Sequence, residues 1–399
     1  MKERIKNLKR IVNINIRDIA SIFPMIVAII PSLFLKKRYQ NIWMISDRKD
    51  EANDNGFCFF KYMRKKHPEQ QCVYVIKKSC EDFEKVKDIG KIIEYGSIKH
   101  WILYFTCKYN ISSQGGHPNG YLCTFLENIS LVHPQNVFLQ HGITKDMATY
   151  LCADRRKIMY FITGAEPEYR FVKENFGYRT DVIQYTGFAR FDYLHERKND
   201  EKFILIMPTW RSWLRLKSER KNGIEGNIEK SEYLKKWNDL LNDKRLNEYI
   251  TEKNLKVIFF PHSNFQKYLN LFNVNNKNIK LASKNEFDVQ LLLKKCSLLI
   301  TDYSSVFFDI AYMKKPIIFY QFDEKQYREY HYQQGWFDYH KTHLGKFCDN
   351  QNMVVDELIK SVTNNFELDD MFEKEHSHIF PKYDKKNCER IYQLLIKNG

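Results

Sequence analysis

The sequence predicts an α/β protein of two doubly wound, parallel domains that face each other across a cleft, preceded by a basic and apolar segment. Three observations carry that expectation. Short apolar runs alternate with polar stretches of helical spacing, and they do so in two successive series. The charged stretch 190–202, between the series, has the composition of an interdomain linker. At 399 residues the chain also exceeds what one ordinary hydrophobic core supports.

In the first series the strand candidates are residues 42–45, 72–76, 109–112, 136–139, 160–163 and 182–185, with helical stretches such as 56–65 and 166–175 between them. The second series places strands at 203–207, 257–260, 298–301 and 317–320. The expected organisation is a segment at 1–38, a first domain at 39–195, a second at 196–380 and a closing helix within 381–399. That helix carries an apolar face at Ile391, Leu394 and Leu395. Residues 216–230, rich in Lys, Glu, Asn and Gly, read as a solvated loop.

Residues 19–35 form the one long uncharged stretch, between Lys9, Arg10 and Arg17 on one side and Lys36, Lys37 and Arg38 on the other. Its length is at the lower limit for a spanning helix, Pro24 and Pro31 interrupt it, and basic flanks on both sides give no orientation. A helix lying in the membrane interface fits this pattern; a buried helix and a true span are the alternatives. A net charge of +15 favours an anionic partner, either a lipid surface or a phosphate-rich substrate. Nucleic acid is disfavoured, because the cations are spread along the chain and no binding motif accompanies them. The nine cysteines are an odd number without a C-x-x-C pair, which suits a reducing compartment and marks no metal site.

Ligands of doubly wound sheets bind beyond the carboxyl ends of the strands, so residues just after each run carry the most information. Four such stretches are unusual: Gln140-His141-Gly142-Ile143-Thr144-Lys145, Pro208-Thr209-Trp210-Arg211, Pro261-His262-Ser263-Asn264, and Asp302-Tyr303-Ser304-Ser305 with Asp309 a turn later. Histidine exchanges protons near neutral pH, so His141 suits deprotonation of an attacking hydroxyl; a hydrogen-bonded strand-end histidine is the plain alternative. Ser304 and Ser305 precede an apolar helical stretch, where hydroxyls and free N–H groups form either an anion site or a simple cap. Asp309, on the adjacent turn, suits hydroxyls rather than phosphate. Arg211 and His262 follow strands of the same domain and could stabilise a departing phosphate without metal. No Asp-x-Asp pair of the kind that holds a divalent ion occurs.

These residues resemble a known family. Phe138-Leu139-Gln140-His141-Gly142, Thr186-Gly187-Phe188-Ala189-Arg190-Phe191-Asp192 and Pro208-Thr209-Trp210-Arg211 are similar to motifs of the CDP-glycerol glycerophosphotransferases, the teichoic-acid primases and polymerases. The most specific piece is Leu299-Ile300-Thr301-Asp302-Tyr303-Ser304-Ser305-Val306-Phe307-Phe308-Asp309, followed by Lys315-Pro316-Ile317-Ile318-Phe319-Tyr320. Lys386-Asn387-Cys388-Glu389-Arg390-Ile391 resembles the family's closing helix. Trp43-Met44-Ile45-Ser46-Asp47-Arg48 and Asp54-Asn55-Gly56 resemble the opening of its capsule and surface-polymer members.

The resemblance implies a GT-B-like fold of two Rossmann-type domains. It also implies transfer of a polyol phosphate from CDP-glycerol or CDP-ribitol to a lipid-linked glycan or polyol-phosphate acceptor, with release of CMP. No metal or other cofactor is implied, and the setting is an anionic membrane surface on the cytoplasmic side of a bacterial plasma membrane. Carried over by motif, Gln140, His141, Gly142 and Lys145 lie on the acceptor side, with His141 as base. Arg190, Thr209, Arg211, His262, Ser304, Ser305 and Asp309 hold the CDP-linked donor, and His141, His262 and Arg211 form the catalytic set. The alternative is a GT-B glycosyltransferase that uses a nucleotide sugar.

Overall fold

The structure is a computed structural model and describes residues 16–195, 203–214 and 228–397. The first lobe contains β1 (Trp43–Ser46), β2 (Cys72–Ile76), β3 (Lys91–Glu94), β4 (Tyr109–Ser112), β5 (Asn136–Phe138), β6 (Tyr160–Thr163) and β7 (Ile183–Tyr185). All pair in parallel, in the order β3-β2-β1-β4-β5-β6-β7. The second lobe contains β8 (Phe203–Met207), β9 (Lys256–Phe259), β10 (Ile279–Leu281), β11 (Leu298–Thr301), β12 (Ile317–Tyr320) and β13 (Lys346–Cys348). These too are parallel, in the order β10-β9-β8-β11-β12-β13. Both sheets are thus doubly wound. Their strand order reverses between β1 and β4 and again between β8 and β11, and those are the points where such sheets open to ligands.

The apolar runs became strands because a parallel sheet is covered on both faces and excludes water from every position. Cys72–Ile76 and Leu298–Thr301 are buried from end to end. The strands without a strong sequence signal, β3, β10 and β13, place Lys91, Lys280 and Lys346 at exposed positions. Edge strands commonly carry lysine, because it discourages pairing with another chain, and a short run containing it reads as loop.

Arg190, Phe191 and Leu194, at the start of the expected linker, are buried, and Phe191 stacks on Tyr312 of the second lobe at 4.1 Å. Residues 196–202, and residues 216–227 of the expected surface loop, lie outside the described residues. Helix Asn387–Lys397 returns to the first lobe: Tyr392 stacks on His67 at 3.6 Å, and the Tyr109 hydroxyl donates to the Leu395 carbonyl at 3.0 Å. Asp192 anchors its start by accepting from the backbone N–H groups of Asn387 and Cys388. Gly187 makes this closure possible. It has φ +79°, and a Cβ there would lie 1.9 Å from the Asn387 side-chain oxygen.

The uncharged N-terminal stretch lies within one helix, Ile16–Tyr39, with Pro24 and Pro31 inside it. By length and composition this helix could cross a membrane. Ala28 on one face is buried in a cluster with Trp101 and Ile102 of helix Ile98–Thr106, and the Asn119 amide donates to Asp18 at 2.9 Å. Its other side presents Phe23, Ile30, Leu33 and Phe34, each two-thirds exposed or more. The segment therefore has one face of a packed helix and one of uncovered apolar surface.

Candidate active site

The cleft lies where the carboxyl edges of the two sheets approach. Beyond β5 the chain turns through Gln140, which adopts a left-handed backbone (φ 61°) and puts His141 into the cleft. A Cβ on Gly142 would stand 2.7 Å from the Ser305 hydroxyl oxygen, so this turn packs closely on the 302–305 turn of the other lobe, and any larger residue would force the Ser305 hydroxyl aside. The structure thus brings His141, Gly142, Ser304 and Ser305 together.

His141 is exposed to water at its surface, yet the protein packed around its ring desolvates it. That environment disfavours the imidazolium, and the positive charges of Arg48, Arg190 and Arg156 add to the effect. Its pKa is lowered to about 4, so the ring is neutral near pH 7, and a hydrogen bond to the Ser113 backbone opposes the lowering.

Several groups fix the turn that bears it. Asn55, fully buried, donates its side-chain amide to the Gln140 carbonyl at 2.7 Å and accepts from the Arg190 backbone at 3.0 Å. Glu168 accepts from the Thr144 backbone at 2.6 Å, the Gly164 backbone at 2.7 Å and the Gln140 amide at 2.9 Å. Burial pushes the Glu168 carboxyl up to about 7 against those donors. Asp47, at the end of β1, accepts from the backbone of Gly56 and Phe57 and from the hydroxyls of Tyr74 and Ser113. Glu168 is legible as the third residue of a helix whose carboxylate returns to its own start, a capping-box position. Asp47 and Asp323 directly follow or lie near strand ends and were open to the same rule that picks out Asp302.

Other expected ligand contacts are turned inward. Gln140 and Lys145, expected on the acceptor side, have their side chains engaged within the protein: the Gln140 amide is held by Glu168 and Thr144, and Lys145 is buried against Asp146. Asp146 in turn accepts from Arg328 of the second lobe at 2.6 Å, and the Trp336 indole donates to the Thr144 carbonyl at 2.9 Å. That stretch is an interlobe contact.

Arg190 makes a two-pronged pair with Asp309 at 2.9 and 3.0 Å and reaches Asp54 at 3.0 Å. Both groups expected to touch the donor are therefore occupied by one another, and they tie the lobes together. Arg211 is fully buried: it donates twice to Asp323, at 2.7 and 3.0 Å, to Asp302 at 2.8 Å and to the Thr209 carbonyl at 2.8 Å. Tyr233, Tyr303 and Tyr327 cover its guanidinium. A guanidinium so enclosed has no open side for phosphate, and the expectation of a direct donor contact is corrected to one of support.

Asp302, between Arg211 and the backbone N–H groups of Thr209 and Tyr303, fixes the ends of β8 and β11 side by side. The Thr209 hydroxyl is buried beside them without a partner among the described residues. His262 is half-buried; its Nδ1 accepts from the Asn264 backbone at 3.2 Å, and its own N–H donates to the Pro208 carbonyl at 3.1 Å. Ser304 and Ser305 are partly exposed. The helix after them is short, Phe307–Tyr312.

Two Rossmann-type lobes, each built on a doubly wound parallel sheet and meeting at the turns beyond their strands, define the GT-B-like class. The same architecture occurs in the wall teichoic acid polymerase TagF, in a variant soaked with CDPG (TM-score 0.66, 16% identity, 100% of this chain and 98% of that one). It also occurs in a putative UDP-N-acetylglucosamine 2-epimerase from Listeria monocytogenes (TM-score 0.56, 12% identity, 90% and 96% covered). Residues 28–397 match the model of the CDP-Glycerol:Poly(glycerophosphate) glycerophosphotransferase family, and the chain belongs to that family. It is 34% identical over 366 residues to the minor teichoic acid biosynthesis protein GgaB of Bacillus subtilis (strain 168), covering 89% of this chain and 40% of that protein. It is 24% identical to the teichoic acid glycerol-phosphate transferase of Staphylococcus aureus (strain NCTC 8325 / PS 47), over 54% of this chain and 55% of that one. The chain thus spans less than two thirds of the length of these relatives.

Proposed function

We propose that this chain transfers a polyol phosphate, glycerol phosphate or ribitol phosphate, from a CDP-activated donor to a teichoic-acid-like or capsular acceptor and releases CMP. The observation that carries the reading is a neutral His141 standing in the cleft beside Gly142, with Ser305 against it from the other lobe. The acceptor hydroxyl oxygen attacks the phosphorus that bears the polyol, and a new P–O bond forms. The pyrophosphate P–O bond breaks, its electron pair leaves with CMP, and the hydroxyl proton passes to the His141 ring. Ser304, Ser305, His262 and the unpartnered Thr209 hydroxyl are the donor-side groups in this reading, while Arg211, Asp302 and Asp323 hold them in place. The reaction takes no metal or other cofactor in this reading, so EDTA is expected to leave the rate of CMP release unchanged.

Calorimetry with CDP-glycerol and CDP-ribitol tests the donor side. The Ser304→Ala/Ser305→Ala double variant is expected to bind about tenfold or more weakly than wild type, because hydrogen bonds to a charged group contribute roughly 1.5–3 kcal/mol each. Wild-type affinity in the folded double variant removes the serines from the site.

Membrane attachment is part of the same reading, and it rests on the uncovered face of helix Ile16–Tyr39. Changing Phe23, Ile30, Leu33 and Phe34 to serine is expected to abolish binding to anionic vesicles and leave the fold intact, since each of these side chains is two-thirds exposed or more. Removing residues 1–38 altogether also strips Ala28 from the Trp101 cluster, so that truncation is expected to lower stability as well. Undiminished vesicle binding by the serine variant places the anchor elsewhere.

A further inference from the structure

One face of the first sheet departs from the parallel-sheet pattern. Alternation puts residues 110, 112, 136 and 138 on the same side of β4 and β5, with Asn110 opposite Asn136 and Ser112 opposite Phe138. A face of this kind normally carries apolar side chains. Here Asn110, Ser112 and Asn136 are polar and buried. The Asn110 amide nitrogen donates to Asn136 at 2.9 Å, while its oxygen is buried and has no partner among the described residues. These side chains line a cavity of about 300 Å³ between helix Gly120–Asn128 and the segment 153–158.

One end of the cavity adjoins the proposed chemistry. Ser112 and Gln114 line it, and Ser113, between them, makes a backbone hydrogen bond to His141. Arg156 forms part of the opposite wall, with its guanidinium over the rings of Phe138 at 5.2 Å and Tyr150 at 5.9 Å. Among the described residues no carboxylate forms an ion pair with it, and its charge is felt at His141. The apolar helix adjoins the same region, because Asn119, next to the lining residue Gly120, donates to Asp18.

We infer that this cavity is the acceptor subsite: it takes the terminal polyol-phosphate unit of the acceptor, with Asn110 and Gln114 on polyol hydroxyls and Arg156 on the phosphodiester, and presents the end hydroxyl to His141. The assignment rests on the phosphotransfer reading above. The unpartnered, buried amide oxygen of Asn110 suits a ligand that brings hydroxyl donors, a cation held by rings suits a phosphodiester, and an adjacent apolar helix suits a chain that is lipid-linked at its far end.

The test uses the full chain, CDP-glycerol and a short oligo(glycerol phosphate) acceptor. Nothing lies within 4 Å of a Cβ at the lining residue Gly120, so the backbone there accepts a side chain, and Gly120→Phe is chosen to occupy the cavity. It is expected to raise the acceptor KM by at least about tenfold, the equivalent of one charge-assisted hydrogen bond, and to leave calorimetric CDP-glycerol affinity and melting temperature unchanged. Arg156→Gln is expected to do the same and decides the matter alone if Gly120→Phe does not fold. Free glycerol 3-phosphate should compete with the acceptor and not with the donor. Wild-type protein that neither binds nor turns over CDP-glycerol or CDP-ribitol defeats the phosphotransfer reading. Normal transfer with a wild-type acceptor KM in both variants overturns the acceptor subsite and leaves that reading standing.

Discussion

His141→Ala is expected to lower turnover by about 10²–10⁴ while leaving CDP-donor affinity close to wild type, because a positioned base acts on the acceptor hydroxyl and not on the nucleotide. The pH dependence distinguishes this role from a structural one. The base works in its neutral form, and the ring's pKa is lowered to about 4 by the enclosing protein and the nearby arginines. The acid limb of kcat/KM therefore lies near pH 4 in the free enzyme, with rate lost as pH falls through it. The limb of kcat lies higher, since a bound anionic phosphate favours the imidazolium. In His141→Ala both limbs should vanish together with the rate. Turnover at the wild-type level, or an unchanged acid limb, assigns the proton to another group.

Arg211→Ala is expected to have the largest effect on stability. It leaves Asp302 and Asp323 buried without their cation, and breaking a buried pair in this way costs about 3–5 kcal/mol. Asp302 also holds the backbone of Thr209 and Tyr303, so the ends of β8 and β11 should loosen together. Lysine should not rescue the variant, because one ammonium group cannot reproduce the two-pronged contact with Asp323 and the bond to Asp302 at once. Urea unfolding measures the loss. A variant that keeps wild-type stability and loses only donor affinity would mean that Arg211 touches the ligand directly.

The contrast between these two residues shows what the sequence can and cannot reveal. Burial of whole strands is written in continuous apolar runs, so both sheets were legible apart from the short, lysine-bearing edges. The rule that ligands gather beyond strand ends picked out two stretches, at Gly142 and Ser305, that the structure brings against each other. It could not separate a side chain that points into the cleft from one that supports the turn from below. Arg211 and Arg190 look like phosphate forks in sequence, and only the positions of Asp302, Asp323, Asp54 and Asp309 reveal that their forks are occupied. Those partners lie 91 to 136 residues away, a separation that no local pattern encodes. The polar face of β4 and β5 was hidden for a related reason: Asn110 and Asn136 are ordinary in their own runs and unusual only when paired across the sheet.

Donor turnover tests the central claim most directly. Purified full-length protein on anionic vesicles, given an oligo(glycerol phosphate) acceptor, is offered CDP-glycerol, CDP-ribitol and a panel of UDP-sugars in turn, and nucleotide release is followed. The account predicts acceptor-dependent release of CMP from at least one CDP-polyol, lowered by about 10²–10⁴ in His141→Ala, and no release of UDP. Release of UDP from a nucleotide sugar, with both CDP-polyols left intact, would contradict it.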